Sequence, residues 1–212
     1  GNETRHTFNA QVSEFDLADS YFPAWETAIK RGKAAGIMCS YNELNGVPTC
    51  GNPKLNETLR KDWGFDGYIT SDTDACYDIF ETHKYVANGT LAVAKCLAGG
   101  TDIDSGNTYQ GYLDHAVTFG EAPMSDVRKA LFNSFKIRFR LGLFDPKISS
   151  PLREISPEIV GTDKHQGLSL HAARQTMVLL KNEENTLPFA VGKNIAVIGA
   201  SANSTKDLLG NY

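Results

Sequence analysis

Short apolar runs recur through the first two-thirds of the chain, and each ends abruptly in polar residues. Residues 36–40 (GIMCS), 67–70 (GYIT) and 101–104 (TDID) predict three short, buried strands. Between these runs the apolar positions return at helical spacing. Helix starts are predicted at Ser13, Asn52–Pro53, Thr90 and Ser125, and the matching ends at Gly32, Gly64, Gly99 and Gly142.

Strands that alternate with helices predict an α/β protein with a parallel sheet and right-handed crossovers. The polar residues that follow the three strands lie at 40–42 (SYN), 71–72 (SD) and 102–104 (DID). In a barrel these ends lie at one mouth, where barrel enzymes hold their active sites. The competing interpretation is that each strand simply runs into a polar turn.

The composition changes between residues 145 and 157, where three prolines predict a linker. After the linker we predict a helix at 164–174, an extended segment at 176–180 and a buried strand at 194–199 (NIAVIG). That strand would open a second α/β domain. A dinucleotide-binding fold is disfavoured, because the pattern Gly-x-Gly-x-x-Gly is missing.

Charge and hydropathy narrow the class of protein. The 212 residues carry a formal net charge of −4, which predicts no nucleic-acid partner and no anionic membrane partner. No apolar run approaches the roughly 20 residues of a membrane helix. The chain begins without Met and stops directly after a strand-like run, so we expect a fragment of a longer protein, and its oligomeric state stays open.

The cysteines and the N-glycosylation sequons indicate the cellular compartment in which the protein matures. The four cysteines form no Cys-x-x-Cys pair, so a structural metal site is not expected. Cys39 and Cys50 are candidates for a bridge across a short loop, and four buried free thiols are the alternative. Together with the even cysteine count, the sequons favour a secreted, glycosylated protein. The sequons stand at Asn2, Asn56, Asn88 and Asn203.

The stretch from Gly64 to Ala75 (GFDGYITSDTDA) contains the strongest candidate for chemistry. A buried strand that delivers a carboxylate, here Asp72, from its C-terminal end is how a parallel barrel presents a catalytic acid. Ser, Asp and Thr are also the usual residues of a helix N-cap. These residues alone leave the catalytic and the capping interpretations open.

Seven motifs follow one another along nearly the whole chain. They are MCSYNELNGVPTC (38–50), WGFDGYITSDTDA (63–75), AGGTDID (98–104), RLGLFDP (140–146), ARQTMVLLKNEENTLPF (173–189), NIAVIG (194–199) and LLGNY (208–212). In this order they resemble glycoside hydrolase family 3, in its xylosidase-like branch of β-xylosidases and α-L-arabinofuranosidases.

The resemblance implies the C-terminal part of a (β/α)8 TIM-type barrel followed by the start of an α/β sandwich domain. Residues 1–144 would belong to the barrel, 145–175 to an inter-domain linker, and 176–212 to the first strands of the sandwich. It also implies a retaining exo-glycosidase that needs no cofactor. Its substrate would be an oligosaccharide or glycoside from plant-type polysaccharides.

The resemblance also implies roles for individual residues. Asp72 matches the nucleophile, which attacks the anomeric carbon and forms a covalent glycosyl-enzyme. Tyr41 matches a tyrosine beside the nucleophile in the sugar-binding subsite, and Met38 matches a wall residue of that pocket. In the family the partner Glu, first acid and then base, lies downstream of these residues, and a sugar-binding Lys-His pair lies upstream. Arg5 and His6 are expected to be surface loop residues.

Sugar preference depends on the position after the nucleophile. Glucosidase-like members usually have Trp there, whereas xylosidase-like members tend to have Cys, matched by a second Cys after the last barrel strand. This chain has Thr73 and Ser105 at those positions. The SDTD sequence, the Cys39…Cys50 spacing and the SYNELNG loop favour β-xylosidase. β-Glucosidase, α-L-arabinofuranosidase and a non-catalytic carbohydrate-binding protein remain the alternatives.

The other acidic residues have structural interpretations. Asp74 is interpreted as a helix cap or a residue that frames the pocket. Clustered carboxylates such as Asp102 and Asp104 are typical of sites for hard cations, as in a metal-dependent lyase. Their match to the family's last barrel strand instead favours hydrogen bonding within the barrel.

Overall fold

The structure is a computed structural model that describes residues 3–146, 150–207 and 209. The chain divides into two compact units, Gly1–Arg153 and Glu154–Tyr212. The boundary falls inside the predicted linker at 145–175, and the assignment of three domains stays a prediction. The sequon at Asn2 and most of the LLGNY motif lie outside the described residues.

The first unit alternates strands and helices, as the sequence predicts. Its strands are β1 (Asn9–Ala10), β2 (Gly36–Cys39), β3 (Glu43–Leu44), β4 (Val47–Pro48) and β5 (Tyr68–Ser71). Its helices are α1 (Glu14–Asp16), α2 (Phe22–Lys30), α3 (Pro53–Glu57), α4 (Ala75–Glu81), α5 (Gly89–Ala98), α6 (Thr108–Thr118) and α7 (Met124–Arg140).

Side-chain caps fix where two of the helical segments begin. The Ser13 hydroxyl accepts a bond from the Asp16 N–H at the start of α1, which continues through a π-helical segment into α2. The Asn52 side chain accepts bonds from the backbone N–H groups of Lys54 and Leu55, and Pro53 occupies the first position of α3. Both predicted helix starts are confirmed.

The start of α7 was predicted wrongly. The helix begins at Met124 after an extended Pro123, so Ser125 lies inside the first turn and caps nothing. The Pro123 carbonyl accepts a bond from the Asp126 N–H at 3.0 Å, so this donor of the first turn is bonded to the backbone instead of to a serine side chain.

Helix α6 is an element that the sequence interpretation missed. Its residues include Thr, Tyr, Val and Gly, which have low helix propensity. The apolar positions Tyr109, Leu113, Ala116 and Val117 nevertheless share one face and pack against the cluster around Val93. Tertiary packing therefore overrides the local propensity.

The parallel sheet connects the candidate motifs. Strands β2 and β5 pair in parallel, in register from Gly36–Tyr68 to Cys39–Ser71, and Ile103 forms a parallel bridge with Thr70 on the other edge of β5. The carboxyl ends of all three segments therefore lie side by side. A smaller sheet pairs β1 in parallel with β3, and β3 antiparallel with β4.

The third predicted strand, 101–104, is reduced to this single bridge. The N–H of Ile69 donates to the side chain of Asp102 at 2.8 Å instead of to a backbone carbonyl. The Thr101 carbonyl accepts a bond from the Tyr109 hydroxyl at 2.7 Å. Groups that would extend the ladder are thus bonded to side chains, and a regular strand does not form.

The predicted burial holds for β5 but not for β2. Ile69 of β5 is 4% exposed, whereas Met38 of β2 is 52% exposed. Among the described residues β2 pairs only with β5. A parallel strand is buried when neighbours cover both edges and both faces, and here one edge of β2 is uncovered.

The second unit contains one α-helix among its described residues, α8 (Asp163–Gln175), which confirms the helix predicted at 164–174. The buried strand predicted at 194–199 is not formed, and Val197 is 72% exposed; the segment predicted as extended at 176–180 pairs with no strand either. Both segments have strand-like composition. A strand also needs a second segment to bond its backbone groups, and the described part of this unit provides none.

No helix within the described residues combines the length and the apolar character needed to cross a membrane.

Candidate active site

Asp72 lies directly after β5, half-buried at the carboxyl end of the parallel pair. Its backbone N–H donates to the Cys39 carbonyl at 2.9 Å, which joins the ends of β5 and β2. Its Oδ1 accepts a bond from the Thr73 N–H at 2.8 Å. The carboxylate is therefore held at the mouth of the sheet, three residues before α4 begins.

The loop after β5 is bonded to the segment that follows the third strand end. The Ser105 N–H donates to the Ser71 hydroxyl at 2.8 Å, and the Asp74 N–H donates to the Ser105 carbonyl at 2.7 Å. The hydroxyl oxygens of Thr73 and Ser105 lie 3.1 Å apart. The structure thus brings the polar ends of the three predicted strands together at one edge of the sheet.

Tyr41 follows β2 at the same edge. Its ring centroid lies 4.3 Å from that of His6, and the Arg5 guanidinium carbon is 5.2 Å from the Tyr41 centroid, within cation–π range. Its carbonyl is 2.7 Å from Nε2 of the buried His83. Tyr41 is therefore held by ring contacts with His6 and Arg5 and by the contact of its carbonyl with His83.

Arg5 is an exposed turn residue, as expected, whereas His6 of the same turn is partly buried and makes a long-range contact. His6 Nδ1 lies 2.7 Å from Oδ2 of the buried Asp78 in α4, and the other Asp78 oxygen accepts a bond from the Thr82 hydroxyl. A buried carboxylate needs such partners. The contact between His6 and Asp78 therefore connects the loop before β1 to α4, the helix that follows Asp72. Sequence spacing gives no sign of this contact, which spans 72 residues.

A disulfide joins Cys39 to Cys50. It closes the loop that carries Tyr41 and the β3–β4 hairpin, and the Thr49 hydroxyl also donates to the Ser40 carbonyl at 2.5 Å. The loop beside Asp72 is thus linked covalently to the start of the α3 segment.

Met38 is placed differently from Tyr41 and Asp72. It lines an apolar cavity of about 590 Å³ together with Trp25, Trp63 and Ile69. Neither Tyr41 nor Asp72 lines that cavity. A role for Met38 as a wall of the sugar site stays a prediction.

Asp102 and Asp104 act within the sheet. Asp102 Oδ2 accepts bonds from Arg60 Nη2 and the Ile69 N–H, both at 2.8 Å, and Oδ1 accepts one from Asn133 at 2.8 Å. Burial raises the pKa of the Asp102 carboxyl, although the bonds from Asn133, Ile69 and Arg60 act to lower it. Asp104 Oδ2 accepts a bond from the Tyr109 N–H at 2.8 Å.

Asp74 occupies the N-cap position of α4 in a left-handed conformation, with φ of 65°, and its side chain makes no cap hydrogen bond. Only part of the predicted capping role is therefore present. Within the described residues no group of three or more His, Cys, Asp or Glu side chains has the arrangement of a metal site.

The sequons differ in accessibility. Asn88 and Asn203 are exposed, although Asn88 also caps α5 through its side chain. Asn56 is half-buried, and its Oδ1 accepts a bond from Arg60 Nε at 3.0 Å. Glycosylation at any of these positions stays a prediction.

The family model described as "Glycosyl hydrolase family 3 N terminal domain" matches residues 2–133. The chain belongs to glycoside hydrolase family 3. The match covers the sheet, Tyr41, Asp72 and both linked cysteines.

Relatives with xylosidase names match nearly the whole chain. It is 44% identical over 99% of its length to a probable β-D-xylosidase 7 of Arabidopsis thaliana. It is 39% identical over 98% to a β-xylosidase/α-L-arabinofuranosidase 2 of Medicago sativa subsp. varia. The chain spans 28% and 27% of the lengths of these relatives.

A solved structure confirms the fold class. The family 3 exo-β-xylosidase XlnD, in complex with a xylobiose aziridine activity-based probe, matches with a TM-score of 0.83 at 34% identity. The match covers 98% of this chain and 27% of XlnD. The chain is thus an α/β protein that matches the TIM-barrel-like N-terminal domain of family 3.

Proposed function

We propose that the chain forms the nucleophile-bearing part of a retaining exo-β-xylosidase, with Asp72 as the nucleophile. The observation that carries this proposal is the position of Asp72 at the carboxyl end of β5, where the ends of three parallel segments converge. The xylosidase names of relatives that match nearly the whole chain support the choice of sugar.

The position of Asp72 suits a double displacement. In the first step a carboxylate oxygen bonds to the anomeric carbon while the glycosidic bond breaks, and the leaving oxygen takes a proton from the family's acid Glu. In the second step water attacks the same carbon, its proton passes to that Glu, and the Asp72 ester bond breaks. By resemblance the Glu lies outside these residues, so activity requires a protein of the relatives' length.

The surroundings of Asp72 support a pentose substrate. Thr73 replaces the aromatic wall that glucosidase-like members have, and its hydroxyl lies 3.1 Å from the Ser105 hydroxyl. This pair is small and polar, so it offers no ring face for a sugar to stack on. Tyr41, contacted by His6 and Arg5, is proposed to line the sugar subsite next to Asp72.

Secretion is part of the proposal. The Cys39–Cys50 disulfide and the exposed sequon at Asn88 are features of proteins that mature in an oxidising compartment.

A panel of aryl glycosides tests the activity at the relatives' full length. We expect the aryl β-D-xyloside to give the highest kcat/KM and the α-L-arabinofuranoside the second highest. The kcat/KM for the β-D-glucoside should be at least about 10-fold lower, because a missing or extra substituent in a sugar pocket changes binding by about 1–3 kcal/mol. Proton NMR of the first-formed sugar should show retained β configuration.

Each other outcome has a defined meaning. A preference for the glucoside would identify the protein as a β-glucosidase. A first product of inverted configuration would rule out a covalent glycosyl-enzyme. Binding of xylo-oligosaccharides without hydrolysis would identify the non-catalytic carbohydrate-binding alternative.

A further inference from the structure

Two cysteines outside the Cys39–Cys50 bridge lie against each other in the core of the first unit. Cys76 is in the first turn of α4 and Cys96 is in the last turns of α5. Their Sγ atoms are 2.8 Å apart, and both residues are 0% exposed. This separation is shorter than the normal approach of two sulfur atoms that share no bond.

The surroundings of the pair are apolar and closely packed. Both cysteines belong to one cluster with Cys50, Ala75, Ile79 and Ala92. Burial raises the pKa of the Cys76 thiol well above its usual value, and the nearby Asp104 carboxylate acts in the same direction. A protonated, inaccessible thiol is a poor nucleophile and a poor metal ligand, so the pair is not suited to catalysis or metal binding.

We propose that Cys76 and Cys96 form a second disulfide in the mature protein, which cross-links α4 to α5. The two Sγ atoms are 2.8 Å apart, so they need to approach by less than about 1 Å to reach the length of an S–S bond. The 20-residue separation between them encloses a loop, and closing a loop of this size restricts the unfolded chain.

The oxidation requires an external disulfide. One cysteine, as its thiolate, attacks a sulfur of a small-molecule or protein disulfide and forms a mixed disulfide. The second cysteine then attacks the mixed disulfide. Two S–H bonds are lost, one S–S bond forms, and the oxidant is reduced to two thiols that carry the two electrons and two protons. Because both sulfurs are buried in the folded unit, this exchange takes place before α4 and α5 dock.

The Cys39–Cys50 disulfide already requires an oxidising compartment, and the oxidation of Cys76 and Cys96 requires the same. Cys39–Cys50 is a disulfide in the same unit, and Cys50 belongs to the same buried cluster as Cys76 and Cys96. A compartment that oxidises one pair also supplies an oxidant for the other.

The cross-link would act directly on the candidate active site. Cys76 lies four residues after Asp72, and helix α4 begins at Ala75. Helix α4 also carries Asp78, whose carboxylate contacts His6 beside Tyr41. A covalent link to α5 would therefore fix the helix that follows the nucleophile and hold the loop at 72–74 in place.

Tryptic mapping without reduction tests the proposal on the full-length protein secreted from a eukaryotic host. Cys76 lies in peptide 62–84 and Cys96 in peptide 96–128, whereas Cys39 and Cys50 share peptide 34–54. We expect 62–84 and 96–128 to run as one disulfide-linked species that separates on reduction. The bridge within 34–54 serves as the internal control, because it changes mass on reduction without splitting.

A thiol count in denaturant provides a second measurement. Denatured and alkylated without reduction, the wild type should carry no label on these peptides, and Cys76→Ala should carry one label, on Cys96. Cys39→Ala is the matched control and should carry one label on Cys50. Two labels in the wild type, on separate peptides 62–84 and 96–128, would show a reduced pair and overturn the proposal, whatever the state of peptide 34–54.

Discussion

Replacing Asp72 with Asn is expected to lower the kcat for aryl β-xyloside hydrolysis by about 10⁴-fold or more, because loss of a covalent nucleophile removes a path that no other group supplies. The amide has the same shape, and its oxygen can still accept the Thr73 N–H bond that Asp72 Oδ1 accepts. The fold should therefore be retained. Steady-state kinetics at the relatives' full length, with circular dichroism to verify folding, measure this effect.

Asp74→Asn is the matched control for that variant. Asp74 is also in the loop before α4, but its side chain makes no cap bond and its φ is 65°, a conformation that Asn tolerates well. We expect its kcat to stay within a few-fold of the wild type. A kcat for Asp72→Asn near that of the wild type, or a larger loss at Asp74, would contradict the assignment.

Replacing Arg60 with Met is expected to lower the free energy of unfolding of the first unit by about 3–5 kcal/mol, because it leaves a buried carboxylate without its cation. The Asp102 side chain is 3% exposed and that of Arg60 is 15% exposed. Arg60 also donates to the Gly67 carbonyl at 3.0 Å, so one side chain joins the helical turn after α3, the residue before β5 and the third strand end. Urea unfolding of the wild type and the variant measures the difference.

Lys61→Met is the matched control for Arg60→Met, because it replaces a neighbouring basic side chain by the same residue. Lys61 is adjacent in sequence, but its ion pair with Glu57 is exposed on both sides, and such pairs add little stability. We expect a much smaller loss than for Arg60→Met. Equal losses for the two variants would show that Arg60 does not compensate a buried charge.

The effect of Arg60→Met should also depend on pH. The pKa of Asp102 is already higher in the folded protein than its usual value, and Arg60 acts to lower it. Without Arg60 the folded-state pKa rises further, so the folded state binds the proton more tightly than the unfolded chain does. Protonation then favours folding, and the stability deficit should shrink between pH 7 and about pH 4.

Much of the fold can be predicted from local patterns. Ser13, Asn52 with Pro53, and the run at 67–70 show their structure in a few adjacent residues, since caps and buried parallel strands depend on residue type and short spacing. The position of Asp72 at a strand end follows from the same pattern. Family motifs added what spacing alone does not reveal, namely its expected role as nucleophile.

Other features depend on partners that are distant in sequence. The strand predicted at 101–104 is interrupted because Asp102 takes the Ile69 N–H, and no local signal reveals that competition. His6 reaches Asp78 across 72 residues, so the pattern around Arg5 and His6 resembles an ordinary loop. The strand-like segment at 194–199 has suitable composition but no pairing segment among the described residues.

The central claim, that Asp72 forms the covalent intermediate, is tested most directly by trapping. A 2-deoxy-2-fluoro-xyloside with a good leaving group slows both steps but allows the first to proceed, so the glycosyl-enzyme accumulates. After digestion and reduction, peptide 62–84 should carry one 2-fluoroxylosyl group. Fragmentation has to distinguish Asp72 from the other acidic residues of that peptide. A label on Asp72 is the predicted result, and a label on Asp74, Asp78 or any residue outside this peptide would contradict the account.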